Sequence, residues 1–248
     1  METTLGCIAM PLVPGRKEPS DKSEMVTQLL FGESYVVLEE QKKWVLIKND
    51  ADGYECWIDR KQHEPLSEKP SLKQIIASPI SALKKNESKL LIPMGAQVEK
   101  GEFKIGSTNF HYVENESEKV LSPITLCRAL LGAPYLWGGK SILGIDCSGL
   151  VQVVFSACGI QLPRDAYQQA EHGQTVDFAE TALPGDIAYF DNEEGQITHV
   201  GILTGDGKII HASGSVRIDD FDHQGIFNRE TKAYTHKLRI IKRVVAQS

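Results

Sequence analysis

The sequence predicts an α+β chain: two small β-barrels followed by a domain in which a cysteine-bearing helix packs on an antiparallel sheet. Three observations lead there. Short strand-like runs separated by turn residues fill the first half of the chain. A Gly/Pro/aromatic loop beginning at Gly132 then leads into the apolar segment Leu150-Val-Gln-Val-Val-Phe-Ser-Ala-Cys158-Gly159, with Cys147 at its start. Further on, two strand-like runs joined by the turn Thr204-Gly-Asp-Gly207 carry His199 and His211.

Bulk properties narrow the function classes. The 248 residues suffice for two or three small domains, and 41% hydrophobic with 24% charged residues is ordinary for a globular chain. The net charge of −6 and the lack of a basic block argue against nucleic acid and anionic membranes as partners. The apolar runs are too short to span a bilayer as a helix. Met1-Glu-Thr-Thr-Leu-Gly-Cys7 carries no basic-plus-apolar signal region, and nothing apolar precedes its faint lipoprotein-like Leu5-Gly6-Cys7. Five scattered cysteines, an odd number, form no disulfide framework, so reduced thiols and a cytoplasmic location are expected. A monomer is expected as well.

In chain order, residues 1–67 form the first domain, with strands expected at 7–13, 25–30, 34–38, 44–48 and 54–58. Residues 16–23 read as a polar loop and 49–53 as a hairpin turn. The Pro-rich start, Leu30-Phe-Gly-Glu33, Trp44, Gly53-Tyr54 and Trp57-Ile58 together resemble bacterial SH3-type (SH3b) domains. Residues 65–73, with two prolines, read as a linker. Residues 74–115 resemble a second, degenerate SH3b copy, with strands expected at 75–80, 89–92, 96–98, 102–105 and 109–113. Residues 114–118 are a polar hinge into a third domain, 116–248. Its first helix has Ser122 as N-cap and Pro123 at the first position, runs over 123–131 and stops at Gly132.

The second helix is expected to start at Cys147, with Asp146 as N-cap and Gly159 as the stop. A helix N-terminus favours the thiolate, the nucleophilic form of cysteine. Cys127 and Cys158 read as core residues. With strands at 185–190, 197–203 and 208–213, His199 and His211 become neighbours on a hairpin. The arrangement suggests Cys147 as nucleophile, His199 as base and His211 as the group that orients His199. The Cys147 N–H is a natural oxyanion donor; Tyr135 is either a second donor or an aromatic anchor of its loop. Asp165 is expected to cap a short helix at 166–171, with final strands at 215–218 and 238–245 and a polar surface loop at 219–223. His63, His111, His172, His223 and His236 read as surface residues.

Six segments carry a resemblance to the NlpC/P60 cysteine peptidases of bacterial cell-wall metabolism: Pro134-Tyr-Leu-Trp-Gly-Gly139, Asp146-Cys-Ser-Gly-Leu150, Leu162-Pro-Arg-Asp165, Leu183-Pro-Gly-Asp186, His199-Val-Gly-Ile202 and His211-Ala212. The resemblance implies a papain-like fold and a triad of Cys147, His199 and His211, with no cofactor and no metal. A zinc site from the same three residues is the lesser alternative, since no short-spaced ligand pair accompanies them. With SH3b domains in front, the resemblance further implies hydrolysis between γ-D-glutamate and meso-diaminopimelate or lysine in muropeptides with a free N-terminal L-alanine. Tyr135, Asp146 and Ser148, with Tyr54 and Glu24 from the first domain, are the implied substrate contacts. A catalytically inactive peptidoglycan-binding protein and a Cys/His acyltransferase are the competing readings.

Overall fold

A computed structural model describes residues 4–72, 74–113 and 122–244. The chain divides into two compact units, Met1–Lys119 with Trp137–Ile142, and Val120–Leu136 with Leu143–Ser248.

The first unit begins with a seven-stranded antiparallel sheet of β1 (Leu5–Cys7), β2 (Leu12–Arg16), β3 (Met25–Leu30), β4 (Ser34–Glu40), β5 (Trp44–Asn49), β6 (Glu55–Asp59) and β7 (Pro65–Leu66), in the order β3-β2-β6-β5-β4-β1-β7. Alternation along β5 sends Val45 and Ile47 inward, where Ile8, Val13, Leu29, Tyr35, Cys56 and Ile58 complete a core. The strand expected at 7–13 is two strands. Between them Ile8 exchanges backbone hydrogen bonds with the turn at Gly32–Glu33, and Pro11 has no N–H to offer a ladder. The expected linker at 65–73 opens as a strand, because Pro65 and Leu66 pair with Gly6 and Leu5 at the sheet edge, where a proline is tolerated. His63 is also no free surface residue, since its Nδ1 lies 2.8 Å from the Tyr35 hydroxyl.

Residues 74–112 add a four-stranded sheet in the order β10-β9-β13-β12, from β9 (Ile80–Lys85), β10 (Ser88–Pro93), β12 (Gly101–Ile105) and β13 (Thr108–Tyr112). A short ladder joins β8 (Gln74–Ile75) to β11 (Gln97–Val98). The strand expected at 75–80 stops after Ile75, and the chain resumes pairing only past Pro79, in β9. Asn86, at φ 51°, supplies the left-handed residue that turns β9 into β10. The polar hinge expected at 114–118 lies outside the described residues.

The two sheets of this unit share a core. Phe31, from the Leu30-Phe-Gly-Glu33 turn, packs with Phe103 and Phe110 at ring distances of 6.3 and 5.0 Å, alongside Cys7, Leu83, Ile92 and Ile105. Gly32 follows at φ +84°, and a Cβ there would run into the Gln97 carbonyl, so only glycine lets the turn close against that backbone. The segment Trp137–Ile142, with β14 (Lys140–Ser141), belongs to this unit as well. Lys140 is 3% exposed; its Nζ donates to Glu33 Oε1 at 3.0 Å and its N–H to Gln28 Oε1 at 2.8 Å. Trp137 Nε1 donates to Glu24 Oε1 at 2.7 Å.

Among its described residues the second unit carries three α-helices, α1 (Pro123–Ala129), α2 (Cys147–Ala157) and α3 (Ala166–Gln169), and is otherwise mostly sheet. Beyond the short β15 (Gly144–Ile145), its strands are β16 (Gln174–Val176), β17 (Ile187–Asp191), β18 (Ile197–Leu203), β19 (Lys208–Ser213), β20 (Ser215–Asp222), β21 (Gly225–Asn228) and β22 (Ala233–Arg243). They run in the order β16-β22-β17-β18-β19-β20-β21. The long β22 pairs with β17 through one half and with β21 through the other, closing six strands into a barrel. Ala188, Phe190, Leu203, Ile209, Phe221, Ile226 and Ile241 fill its interior. The hairpin at 204–207 forms as expected, with Gly205 and Gly207 at φ +87° and +70°. Asp219–Asp222, expected in a surface loop, belong instead to β20, and β21 was not foreseen. Cys127 is fully buried, whereas Cys158 is half-buried at the C-cap of α2 rather than inside the core.

Replacing Phe31 by Ala removes the ring common to both sheets. The expected cost is about 3–5 kcal/mol, read by urea unfolding followed through the tryptophans; a loss below about 1 kcal/mol would refute the shared core.

Candidate active site

Asp146 sets the start of α2. Its Oδ1 accepts from the Gly149 N–H at 2.6 Å, and the helix ends at Gly159, φ +80°, both as the sequence indicated. Asp146 itself is held by Arg164, whose Nη2 donates to Oδ2 at 2.6 Å and Nη1 to Oδ1 at 3.1 Å. Arg164 Nη1 also donates to Ser148 Oγ at 2.8 Å. The guanidinium is 1% exposed. Arg164 lies in Leu162-Pro-Arg-Asp165, but a lone arginine in a loop gave no hint of this role. The carboxylate expected to meet a substrate amine is thus shared with the helix cap and a buried cation, and Ser148 with the same cation. Asp165 stands at the N-cap of α3 without making a capping hydrogen bond.

Cys147 is buried, and burial together with the neighbouring Asp146 pushes its thiol up to about 12. Backbone N–H groups of Val200 and Ser148, and then Arg164, pull the other way. Desolvation thus outweighs the lowering expected of a helix N-terminus. The β18–β19 ladder begins at the pair Gly201–His211, so the Val200 N–H just outside it is available to the sulfur.

His199, Gly201 and Leu203 share one face of β18, as do His211 and Ile209 on β19, and Asp219 and Phe221 on β20. Leu203, Ile209 and Phe221 line the barrel interior, so the two histidines and Asp219 stand on that interior face. His199 Nε2 is 2.8 Å from His211 Nδ1, and His211 Nε2 is 2.8 Å from Asp219 Oδ2. Arg217 backs Asp219, with Nη2 donating to Oδ1 at 2.9 Å and Nε 2.7 Å from Oδ2. Gly201 makes room for this row, since a Cβ there would come within 2.9 Å of the His211 Cβ. His236, expected at the surface, stacks on His199 with centroids 4.0 Å apart. Burial, then His236 and His211, hold His199 well below the ordinary imidazole value. His111, His172 and His223 are exposed as expected.

The half-buried Tyr135 donates its backbone N–H to the Gly214 carbonyl. Burial and the neighbouring Cys147 and Asp146 push its phenol up to about 12, which keeps it protonated and able to donate. Glu24 and Tyr54 belong to the first unit: Glu24 is exposed and accepts from Trp137, and Tyr54 is half-buried against the core of the first sheet. Among the described residues no group of three or more His, Cys, Asp or Glu is arranged to hold a metal ion, and no helix is long and apolar enough to cross a membrane.

Comparison with known proteins converges on the same region. The profile described as "NlpC/P60 family" matches residues 132–235, and "Bacterial dipeptidyl-peptidase Sh3 domain" matches residues 15–62. A gamma-D-glutamyl-L-lysine dipeptidyl-peptidase of Bacillus subtilis is 33% identical over 75% of this chain and 71% of its own length. A protein of the same name from Bacillus cereus is 24% identical over 80% of this chain and 70% of its own. In fold, the chain is similar to the crystal structure of an NlpC/P60 family protein from Bacillus cereus, with a TM-score of 0.75 at 19% identity over 96% of this chain and 99% of that one.

Removing the guanidinium would leave the Asp146 charge buried and unpaired. Arg164→Ala is expected to cost about 3–5 kcal/mol, and the Asp146→Ala/Arg164→Ala double variant less than the sum of the two single losses. Chemical denaturation of all three decides it; additive losses would mean that the two side chains do not work as a pair.

Proposed function

Because this chain belongs to the NlpC/P60 family and is a peptidase, we propose that it is a cysteine peptidase that hydrolyses the bond between γ-D-glutamate and a diamino acid, meso-diaminopimelate or lysine, in peptidoglycan stem peptides with a free N-terminal L-alanine. The observation that carries this reading is the hydrogen-bonded pair His199–His211 on strands packed against the helix that begins at Cys147.

In this mechanism His199 takes the thiol proton as the sulfur attacks the γ-carbonyl carbon. The transfer accompanies attack, since burial raises the thiol and lowers the imidazole, so that both rest neutral. The tetrahedral oxyanion is met by the Cys147 N–H at the helix start and the protonated Tyr135 phenol. His199 returns the proton to the leaving amine, leaving a thioester. Water, deprotonated by the same imidazole, then releases the glutamyl acid and the thiol.

Recognition of the free amine is assigned to Asp146, Glu24 and Tyr54, and that of the glutamyl α-carboxylate to Ser148, on their chemistry. Residues 74–115 are read as a second SH3-type barrel, and the third domain as a papain-like scaffold. The enzyme acts as a monomer in the cytoplasm, on peptides released from the wall for recycling; a reducing compartment suits five cysteines that form no disulfide. The readings as an inactive binding protein or an acyltransferase have less support, since the nucleophile, base and orienter types are all present and both Bacillus relatives are named as peptidases.

L-Ala-γ-D-Glu-meso-diaminopimelate incubated with the protein should yield L-Ala-D-Glu and free diaminopimelate by mass spectrometry. The N-acetylated peptide should survive, as should the free peptide given Cys147→Ala. An uncut free peptide would sink the assignment for this substrate. The pH profile gives a second check. His199 must be neutral to accept the proton, and its pKa lies below 6.5. Full kcat/KM should therefore persist below pH 6.5 and fall only as pH drops through the lowered value; an acid limb centred at or above 6.5 would contradict a base held down by burial.

A further inference from the structure

Asp219 extends the histidine pair by one residue, and its chemistry settles where the protons are. A carboxylate has lone pairs and no hydrogen, so the hydrogen in its 2.8 Å contact with His211 sits on the imidazole Nε2. On a ring that carries a single hydrogen, Nδ1 is then bare. His199 must therefore donate in the 2.8 Å contact between its own Nε2 and His211 Nδ1. With its hydrogen on Nε2, His199 has a bare Nδ1, the form a base needs. One carboxylate at the far end of the row sets the tautomer of both rings.

We propose that Asp219 is a positioning residue of this peptidase: through His211 it holds His199 as the Nε2–H tautomer, and its charge supports the imidazolium formed when His199 takes the Cys147 proton. The inference rests on the catalytic roles read above for Cys147 and His199. The Sγ–H bond breaks, an Nδ1–H bond forms on His199, and the sulfur electron pair goes to the carbonyl carbon. Asp219 gains no proton. Burial alone would raise its carboxyl, but hydrogen bonds from His211 and Arg217 hold it below the usual range and so ionised.

The surroundings favour this division of labour. Arg217, on the same strand, holds both carboxylate oxygens of Asp219, with Nη2 donating to Oδ1 and Nε beside Oδ2, and so fixes the carboxylate that His211 meets. His236, from β22, stacks on His199 and lies edge-on to His211 at 5.8 Å. Burial and His211 push His236 down to about 4, so it adds no charge near neutral pH. The Cys147 thiol, on α2, rests neutral. Phe190, on β17, offers His199 only an apolar ring. Asp219 is thus the negative charge that faces the imidazole pair.

The test compares the intact protein with Asp219→Asn, Asp219→Glu and Cys147→Ala on the stem tripeptide, and records imidazole 1H–15N correlations of Cys147→Ala with Asp219 present and replaced by Asn. Asp219→Asn should lower kcat by about 10²- to 10⁴-fold while KM changes less than about threefold. Its acid limb should move to lower pH, because removing a negative charge lowers the imidazole pKa. Asp219→Glu should recover part of kcat. With Asp219 present, both rings should show the Nε2–H form; with Asn, that signature should be lost. Wild-type kcat and acid limb in Asp219→Asn, or a hydrogen on His199 Nδ1 in the Asp219-containing protein, would overturn the proposal. The second readout needs no substitution at Asp219, so it decides the question even where Asp219→Asn fails to fold. If Cys147→Ala cleaves as fast as the intact protein, the cysteine mechanism is what fails, and the tautomer measurement still judges Asp219.

Discussion

The buried ion pair between Arg164 and Asp146 is the constraint from which the second unit's site is built. A charge as deep as this arginine is tolerated only when matched and hydrogen-bonded, and Asp146 with Ser148 supplies the match. The same carboxylate caps α2 through Gly149, so the position of the pair becomes the position of the helix start, and with it of Cys147. The thiol stands where backbone N–H groups of Ser148 and Val200 reach it, yet too deep to ionise by itself. Burial supplies the order and removes the charge; in the proposed mechanism His199 restores it at the moment of attack.

The barrel plays the complementary part. Closing six strands on an apolar interior leaves the last interior positions of β18, β19 and β20 for polar side chains, and those positions hold His199, His211 and Asp219. Their rings and carboxylate satisfy one another in a row, as polar groups at the edge of a hydrophobic core must. Gly201 is part of this economy of space, since a side chain there would displace His211.

Legibility in the sequence followed the range of the interactions. Cap, stop and hairpin signals are local, so Asp146, Gly159 and the turn at 204–207 led to α2 and to the neighbouring histidines. Arg164 and Asp219 act across folded distance, and no local pattern set them apart. Asp219 lay in the run Asp-Asp-Phe-Asp, whose charges suggest a loop until Phe221 is seen to fill the barrel. His236 was misjudged for the same reason: its partner is a ring two strands away. In the first unit, prolines at 11, 65 and 79 moved strand boundaries in ways that depend on which edge of the sheet each one meets.

The segment Trp137–Ile142 also bears on how this protein can be taken apart. It follows α1 in sequence but folds with residues 1–119, where Lys140 finds Glu33 and Gln28. A gene fragment beginning at Ser122 would therefore carry a lysine whose carboxylate was left behind, and a tryptophan deprived of Glu24. The complementary fragment, ending before that point, would keep an acidic slot with nothing to fill it. A cut at that point therefore separates buried partners, so the boundary of the fold and the boundary in the chain do not coincide.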